Sequence, residues 1–143
     1  MFAMLMGLKS ISPKQLQQRL KAGQTTVVDV NAQQSWLRAR VPGAMNLSVD
    51  FDPGALPPDF QTSLVFYCSN PMCRKAPSAA RRAKKLGYAD VCVMSAGITG
   101  WTDAQLPVES GALSELPLLI PRNHGRKTPH ELNPYLVLAD AAM

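Results

Sequence analysis

The strongest constraint on this chain is a recurrence. Short β-branched or apolar runs, each closed by turn residues, are separated by stretches of helical character. Thr25-Thr26-Val27-Val28-Asp29-Val30, Leu64-Val65-Phe66-Tyr67 and Val91-Cys92-Val93-Met94 are too short for helices and rich in strand-favouring side chains. Their apolar character is continuous rather than alternating, so both faces need cover, as in a parallel sheet. Between them, Ser12-Pro13 supply a capping hydroxyl and a first-turn proline, Leu16 and Leu20 share a face, and Gly23 ends the helix. A second helix is predicted from Ala32 to Arg40, with Trp36 and Leu37 inward. Val41-Pro42-Gly43 breaks it, and Ala44-Met45-Asn46-Leu47 reads as a short strand. The proline-rich residues 50–62 form a surface loop. Ser69-Asn70-Pro71 is turn chemistry before a helix that runs to Leu86 and closes at Gly87. Ala96 to Trp101 leads into a short last helix. Strands alternating with helices predict an α/β fold, a parallel sheet with helices on both faces.

Composition narrows the class. The 143 residues suit one domain, and 46% hydrophobic with 17% charged residues provides for a core. No apolar stretch approaches a membrane span, and Met1 to Leu8 lack the basic start and length of a secretory signal, so a cytoplasmic location is expected. Three cysteines, Cys68, Cys73 and Cys92, suit working thiols in a reducing compartment better than a disulfide framework. No Cys/His spacing suggests a metal site, and no cofactor is expected. Of the 15 Lys and Arg, six (Arg74, Lys75, Arg81, Arg82, Lys84, Lys85) crowd one stretch. That favours anionic partners, and without an aromatic platform nucleic acid is set aside.

Ligand sites in such sheets lie beyond the carboxyl ends of the strands, where Cys68 falls. A thiol between a strand and a helix start faces the N–H groups of the loop and first turn, which together with the helix dipole favour an anion. A lowered pKa and a nucleophilic thiolate are expected for Cys68, with Arg74 and Lys75 adding positive charge. The same cup would hold the outer sulfur of a persulfide or the oxygens of a small anion. Cys92, inside a strand, reads as core. Cys73, five residues after Cys68, is close enough to resolve a persulfide or sulfenate by disulfide formation. Packing under the loop is the plainer reading and is preferred.

In order along the chain, these segments resemble the rhodanese homology domain. Val27 to Val30 followed by Val41-Pro42-Gly43-Ala44-Met45-Asn46-Leu47 is similar to the first signature. Val65-Phe66-Tyr67-Cys68 resembles the strand that delivers the catalytic cysteine, and Ala79-Ala80, Leu86-Gly87-Tyr88 and Val91 continue the match. Ser95 to Trp101 with Leu106-Pro107-Val108 resembles the second signature. The resemblance covers residues 8–110 and implies a three-layer fold around a central parallel sheet of five strands. It implies sulfur transfer from a donor such as thiosulfate through a Cys68 persulfide to a thiol or protein-cysteine acceptor. Ser69, Asn70, Pro71, Met72, Cys73 and Arg74 are then the loop around the sulfur. The chain departs from the family at Asn31, where arginine is usual, at Ala39-Arg40 in place of Gly-His, at Ala96 in place of glycine, and in a longer loop after Cys68. Pro71 withholds one donor from that loop.

Two other readings compete. Cys68 to Arg74 satisfies the cysteine, five residues, arginine pattern of rhodanese-fold phosphatases and arsenate reductases, in which arginine grips an oxyanion. Their usual histidine before the cysteine is here Tyr67. The third reading is a non-catalytic module that binds through the basic helix. Asp29 is assigned a structural role. Residues 111–143, with His124 and His130 among Pro and Arg, form an extension expected to pack on the domain or on a partner, and a homodimer is one arrangement that would seat it.

Overall fold

The structure, a computed structural model, describes residues 8–112. Five strands form one sheet: β1 (Lys9–Ser10), β2 (Thr25–Asp29), β3 (Met45–Asn46), β4 (Ser63–Tyr67) and β5 (Asp90–Val93). The order is β1-β5-β4-β2-β3, and every pairing is parallel. The helices are α1 (Pro13–Ala22), α2 (Gln33–Arg38), α3 (Lys75–Leu86) and α4 (Gly97–Asp103), and a short 3-10 turn spans Pro53–Ala55.

Alternation along the strands builds two cores from one sheet. Val28, Leu64, Phe66, Val91 and Val93 pack on one side with Ala76, Ala79, Ala80 and Ala83 of α3. Val27, Val65, Tyr67 and Cys92 pack on the other with Leu16 and Leu20 of α1 and Trp101 of α4. The alanines let α3 lie close to the sheet, while its charges stay outside. Helices on both faces are as the strand–helix alternation required.

The ends are as the sequence indicated. In α1 the Ser12 hydroxyl accepts from Gln15 N–H and the Gln15 side chain accepts from Ser12 N–H, a capping box, and Pro13 opens the helix. Gly87 closes α3. Cys92 is buried in β5, with its sulfur 3.7 Å from the Arg19 guanidinium. Strand β1 carries two exposed residues and exists through its pairing with β5.

One buried ion pair has no counterpart in the sequence reading. Arg40 Nε donates to Glu109 Oε1 at 3.0 Å, both side chains are almost fully buried, and their backbones exchange two hydrogen bonds of 2.9 Å. Arg40 also donates to the Trp36 carbonyl at 3.1 Å and lies 4.0 Å from the centre of the Trp36 ring. This fastens the chain after α4 to the turn after α2. The extension is outside the described residues from 113 onward. Among the described residues, no helix is long and apolar enough to cross a membrane.

Candidate functional site: a thiol pair beyond strand β4

Strand β4 is buried from Leu64 to Tyr67 and hands the chain to Cys68, which is 3% exposed. From here the backbone turns through Ser69 and Asn70. The Asn70 side chain accepts from Met72 N–H at 2.9 Å, and its carbonyl accepts from Cys73 N–H at 3.1 Å. These bonds fold the loop back, so that Cys73 packs against the cluster containing Cys68. The loop is held from below as well: Ile98 N–H donates to the Cys68 carbonyl at 2.9 Å and Thr99 N–H to the Ser69 carbonyl at 3.0 Å. Gly97, with φ of 70°, passes so close that a Cβ there would lie 2.5 Å from the Ser69 carbonyl carbon.

Asn31 supports the loop from the side. Its Oδ1 accepts from the Ser69 hydroxyl at 2.7 Å, and its N–H donates to Asp29 Oδ1 at 2.8 Å. Asn46 Nδ2 donates to the Asn31 carbonyl at 2.8 Å. The residue that departs from the usual arginine thus ties strand β2 to the turn after Cys68. Asp29 is fully buried, and that burial raises its pKa against the opposing hydrogen bonds of Tyr67 and Asn31 and the charge of Arg40.

Cys68 and Cys73 line one small cleft, about 10 Å³, with Asn70, Pro71, Ala76, Pro77, Val93, Met94 and Ser95. That is near the volume needed to seat one water. Of the predicted loop, Ser69 contributes its N–H, Met72 is 68% exposed and not on the lining, and Arg74 is exposed immediately before α3. The sequence reading missed Ala76, which supplies an N–H, and the wall formed by Val93 to Ser95. Pro77 withholds a first-turn N–H, so Lys75 and Ala76 carry that task. A wider groove, about 830 Å³, lies elsewhere, at the opposite ends of the strands beside Thr25, Ser63 and Asp90.

The electrostatics correct the expectation of a lowered Cys68 pKa. Burial pushes the Cys68 thiol up to about 12, helped by its hydrogen bond to Cys73 and opposed by the N–H groups of Ala76 and Ser69. At Cys73 partial burial also opposes ionisation. The hydrogen bond from Cys68, the N–H groups of Lys75 and Ser69 and the Lys75 charge outweigh it, and the net shift is downward. Two hydrogen-bonded thiols cannot both ionise cheaply, so ionisation of one is favoured while the other keeps its proton, and Cys73 is the one favoured to ionise first. The N–H groups of Ser69, Lys75 and Ala76 face the two sulfurs and favour negative charge there. Among the described residues, no cluster of three His, Cys, Asp or Glu side chains has an arrangement able to hold a metal ion.

The comparisons agree with this architecture. An HTH-type transcriptional regulator of Mycobacterium tuberculosis is 31% identical over 104 residues, 72% of this chain and 46% of that protein, so the chain spans about half the length of that curated relative. A thiosulfate sulfurtransferase from Pseudomonas aeruginosa superposes with a TM-score of 0.65 at 24% identity, over 73% of this chain and 20% of that one. A Rhodopseudomonas palustris protein of unknown function, described as a possible tyrosine phosphatase, superposes with a TM-score of 0.60 at 20% identity, over 72% of this chain and 86% of that one. Likeness at these identities speaks for the fold alone. Residues 12–104 match the family model of the Rhodanese-like domain, and by that match and its five-stranded parallel sheet the chain belongs to the rhodanese-like domain family.

Proposed function

We propose that the protein is a sulfurtransferase that carries sulfane sulfur as a persulfide on Cys68. The observation that carries this reading is the cleft itself: a strand-end sulfur cradled by the Ser69 and Ala76 N–H groups, with room for about one further small atom. Proton transfer from Cys68 to Cys73 within the pair places the charge on the Cys68 sulfur. That thiolate attacks the outer sulfur of an anionic donor such as thiosulfate; the S–S bond of the donor breaks and sulfite leaves. The persulfide is itself anionic and takes the place of the thiolate in the cradle. A thiol or a protein cysteine then accepts the outer sulfur.

Cleft size also weighs against oxyanion chemistry. A phosphate ester or arsenate presents four oxygens around a centre, more than a space for about one water admits, whereas a sulfur donor need insert only its outer sulfur. Cyanolysis of thiosulfate by the purified chain tests the reading. Turnover that vanishes in Cys68→Ser is expected. Hydrolysis of a phosphate ester that vanishes in Arg74→Ala, with no cyanolysis, would replace it.

A further inference from the structure

Sulfur transfer through Cys68 uses the second thiol of the cleft only as a proton acceptor. Cys73 hydrogen-bonds Cys68, lines the same cleft and is the more exposed of the two. The Asn70 turn holds it there through the 3.1 Å bond from its own N–H. Cys68 Sγ is almost closed to solvent, so an external thiol reaches the outer sulfur of a persulfide far more readily than the inner one. Cys73 lies beside the inner sulfur on the wall of the same cleft.

We propose, resting on the persulfide reading above, that Cys73 is a resolving thiol. It attacks Sγ of the Cys68 persulfide, closes a Cys68–Cys73 disulfide and releases hydrosulfide, so the domain is also a reductive desulfurase that an external dithiol resets. The Sγ–Sγ bond forms as the bond between Cys68 Sγ and the outer sulfur breaks. The one proton held between the Cys73 thiol and the persulfide leaves with that sulfur as HS⁻. The outer sulfur leaves with the electron pair of the broken S–S bond, Cys73 Sγ supplies the pair of the new one, and Cys73 is the sulfur oxidised as the outer sulfur is reduced to sulfide. A dithiol reductant returns two electrons, attacking first at the more exposed Cys73 sulfur and releasing Cys68 into its N–H cradle. The direction is chemically favoured, because hydrosulfide is a good leaving group and an intramolecular attack needs no diffusional encounter. The activity divides sulfur between two fates. An acceptor thiol that reaches the outer sulfur first keeps it as sulfane sulfur, and otherwise Cys73 discharges it as sulfide.

The test uses the full chain as wild type, Cys73→Ser and Cys73→Ala, each loaded with thiosulfate at alkaline pH so that Cys68 ionises without Cys73 as proton acceptor, then desalted and followed without reductant. Hydrosulfide is measured, and peptides are mapped after alkylation. The wild type is expected to release about one hydrosulfide per loaded chain and to yield a linked Cys68–Cys73 peptide about 2 Da lighter than the dithiol. Both variants are expected to keep a Cys68 adduct of about 32 Da for at least about tenfold longer. A wild-type persulfide as long-lived as that of the variants, with no linked peptide, overturns the resolving role and leaves sulfur transfer standing. A wild-type chain that yields no Cys68 adduct, no hydrosulfide and no linked peptide overturns both readings. The linked peptide is read in the wild type, so a poorly folding variant does not mask the outcome.

Discussion

Gly97→Ala offers a quantitative test of how the loop after Cys68 is held. The added Cβ would stand 2.5 Å from the Ser69 carbonyl carbon and 2.6 Å from both its oxygen and the Asn70 nitrogen. Carbon atoms pack at about 3.5 Å, so the Ser69–Asn70 peptide must retreat by about 1 Å. These are backbone atoms, and no rotamer change relieves the contact. Two costs combine: about 1–2 kcal/mol for a side chain at φ of 70°, and about 1–3 kcal/mol for overpacking. Together they lower stability by roughly 2–5 kcal/mol. A displacement of about 1 Å beside a reacting atom costs on the order of 100-fold in rate, which is the drop expected for sulfur loading of the folded fraction. Gly43→Ala provides the control, since φ there is 80° and nothing lies within 4 Å of the added Cβ. It carries only the backbone cost and should load normally. Urea denaturation and stopped-time thiosulfate loading read both quantities. If Gly97→Ala loads at the wild-type rate, or loses no more stability than Gly43→Ala, the packing argument is refuted.

Further outcomes follow from the same geometry. Glu109→Ala leaves the Arg40 charge buried and short of its carboxylate, and should lower stability by about 3–5 kcal/mol in urea denaturation; a change under about 0.5 kcal/mol contradicts the assignment. Sulfur loading should rise with pH through a midpoint below the ordinary 9.0 of a cysteine, because the pair ionises once below that value. Cys73→Ala removes the partner that accepts the Cys68 proton and leaves a buried thiol, so this midpoint should move upward; an unchanged or lower midpoint argues against shared charge. Asp29 has its folded-state pKa above 3.8, so the folded chain binds more protons than the unfolded one between the two values, and stability falls as pH rises through that window. Asp29→Asn should flatten that fall, as read from urea midpoints at a series of pH values; a profile unchanged by the substitution contradicts the assignment.

What the sequence reveals and what it hides divide by range. Strands β2, β4 and β5, and the ends of α1 and α3, are written in adjacent residues: an apolar run, a capping serine, a closing glycine. The position of Cys68 follows from the same local grammar, because a strand that ends in turn residues before a helix places its last side chain at the carboxyl edge. Strand β1 is illegible, since Lys9 and Ser10 are exposed and become a strand only against Cys92 and Val93. The Arg40–Glu109 pair joins residues 69 apart in sequence, and the bond from Ser69 to Asn31 spans 38. No local pattern encodes either. The distribution of charge within the thiol pair is hidden for another reason. Helix-start N–H groups alone predict a lowered Cys68 pKa, but burial opposes them, and a second thiol brought into contact by the Asn70 turn decides which sulfur ionises first.

The central claim is that Cys68 takes up a second sulfur. Mass spectrometry of the full Cys73→Ala chain after thiosulfate treatment at alkaline pH, above its raised loading midpoint, with the adduct mapped to its peptide, addresses it most directly. The account predicts an increment of about 32 Da on the Cys68 peptide that cyanide removes, and none in Cys68→Ser. No increment at Cys68, or the same increment persisting in Cys68→Ser, would contradict it.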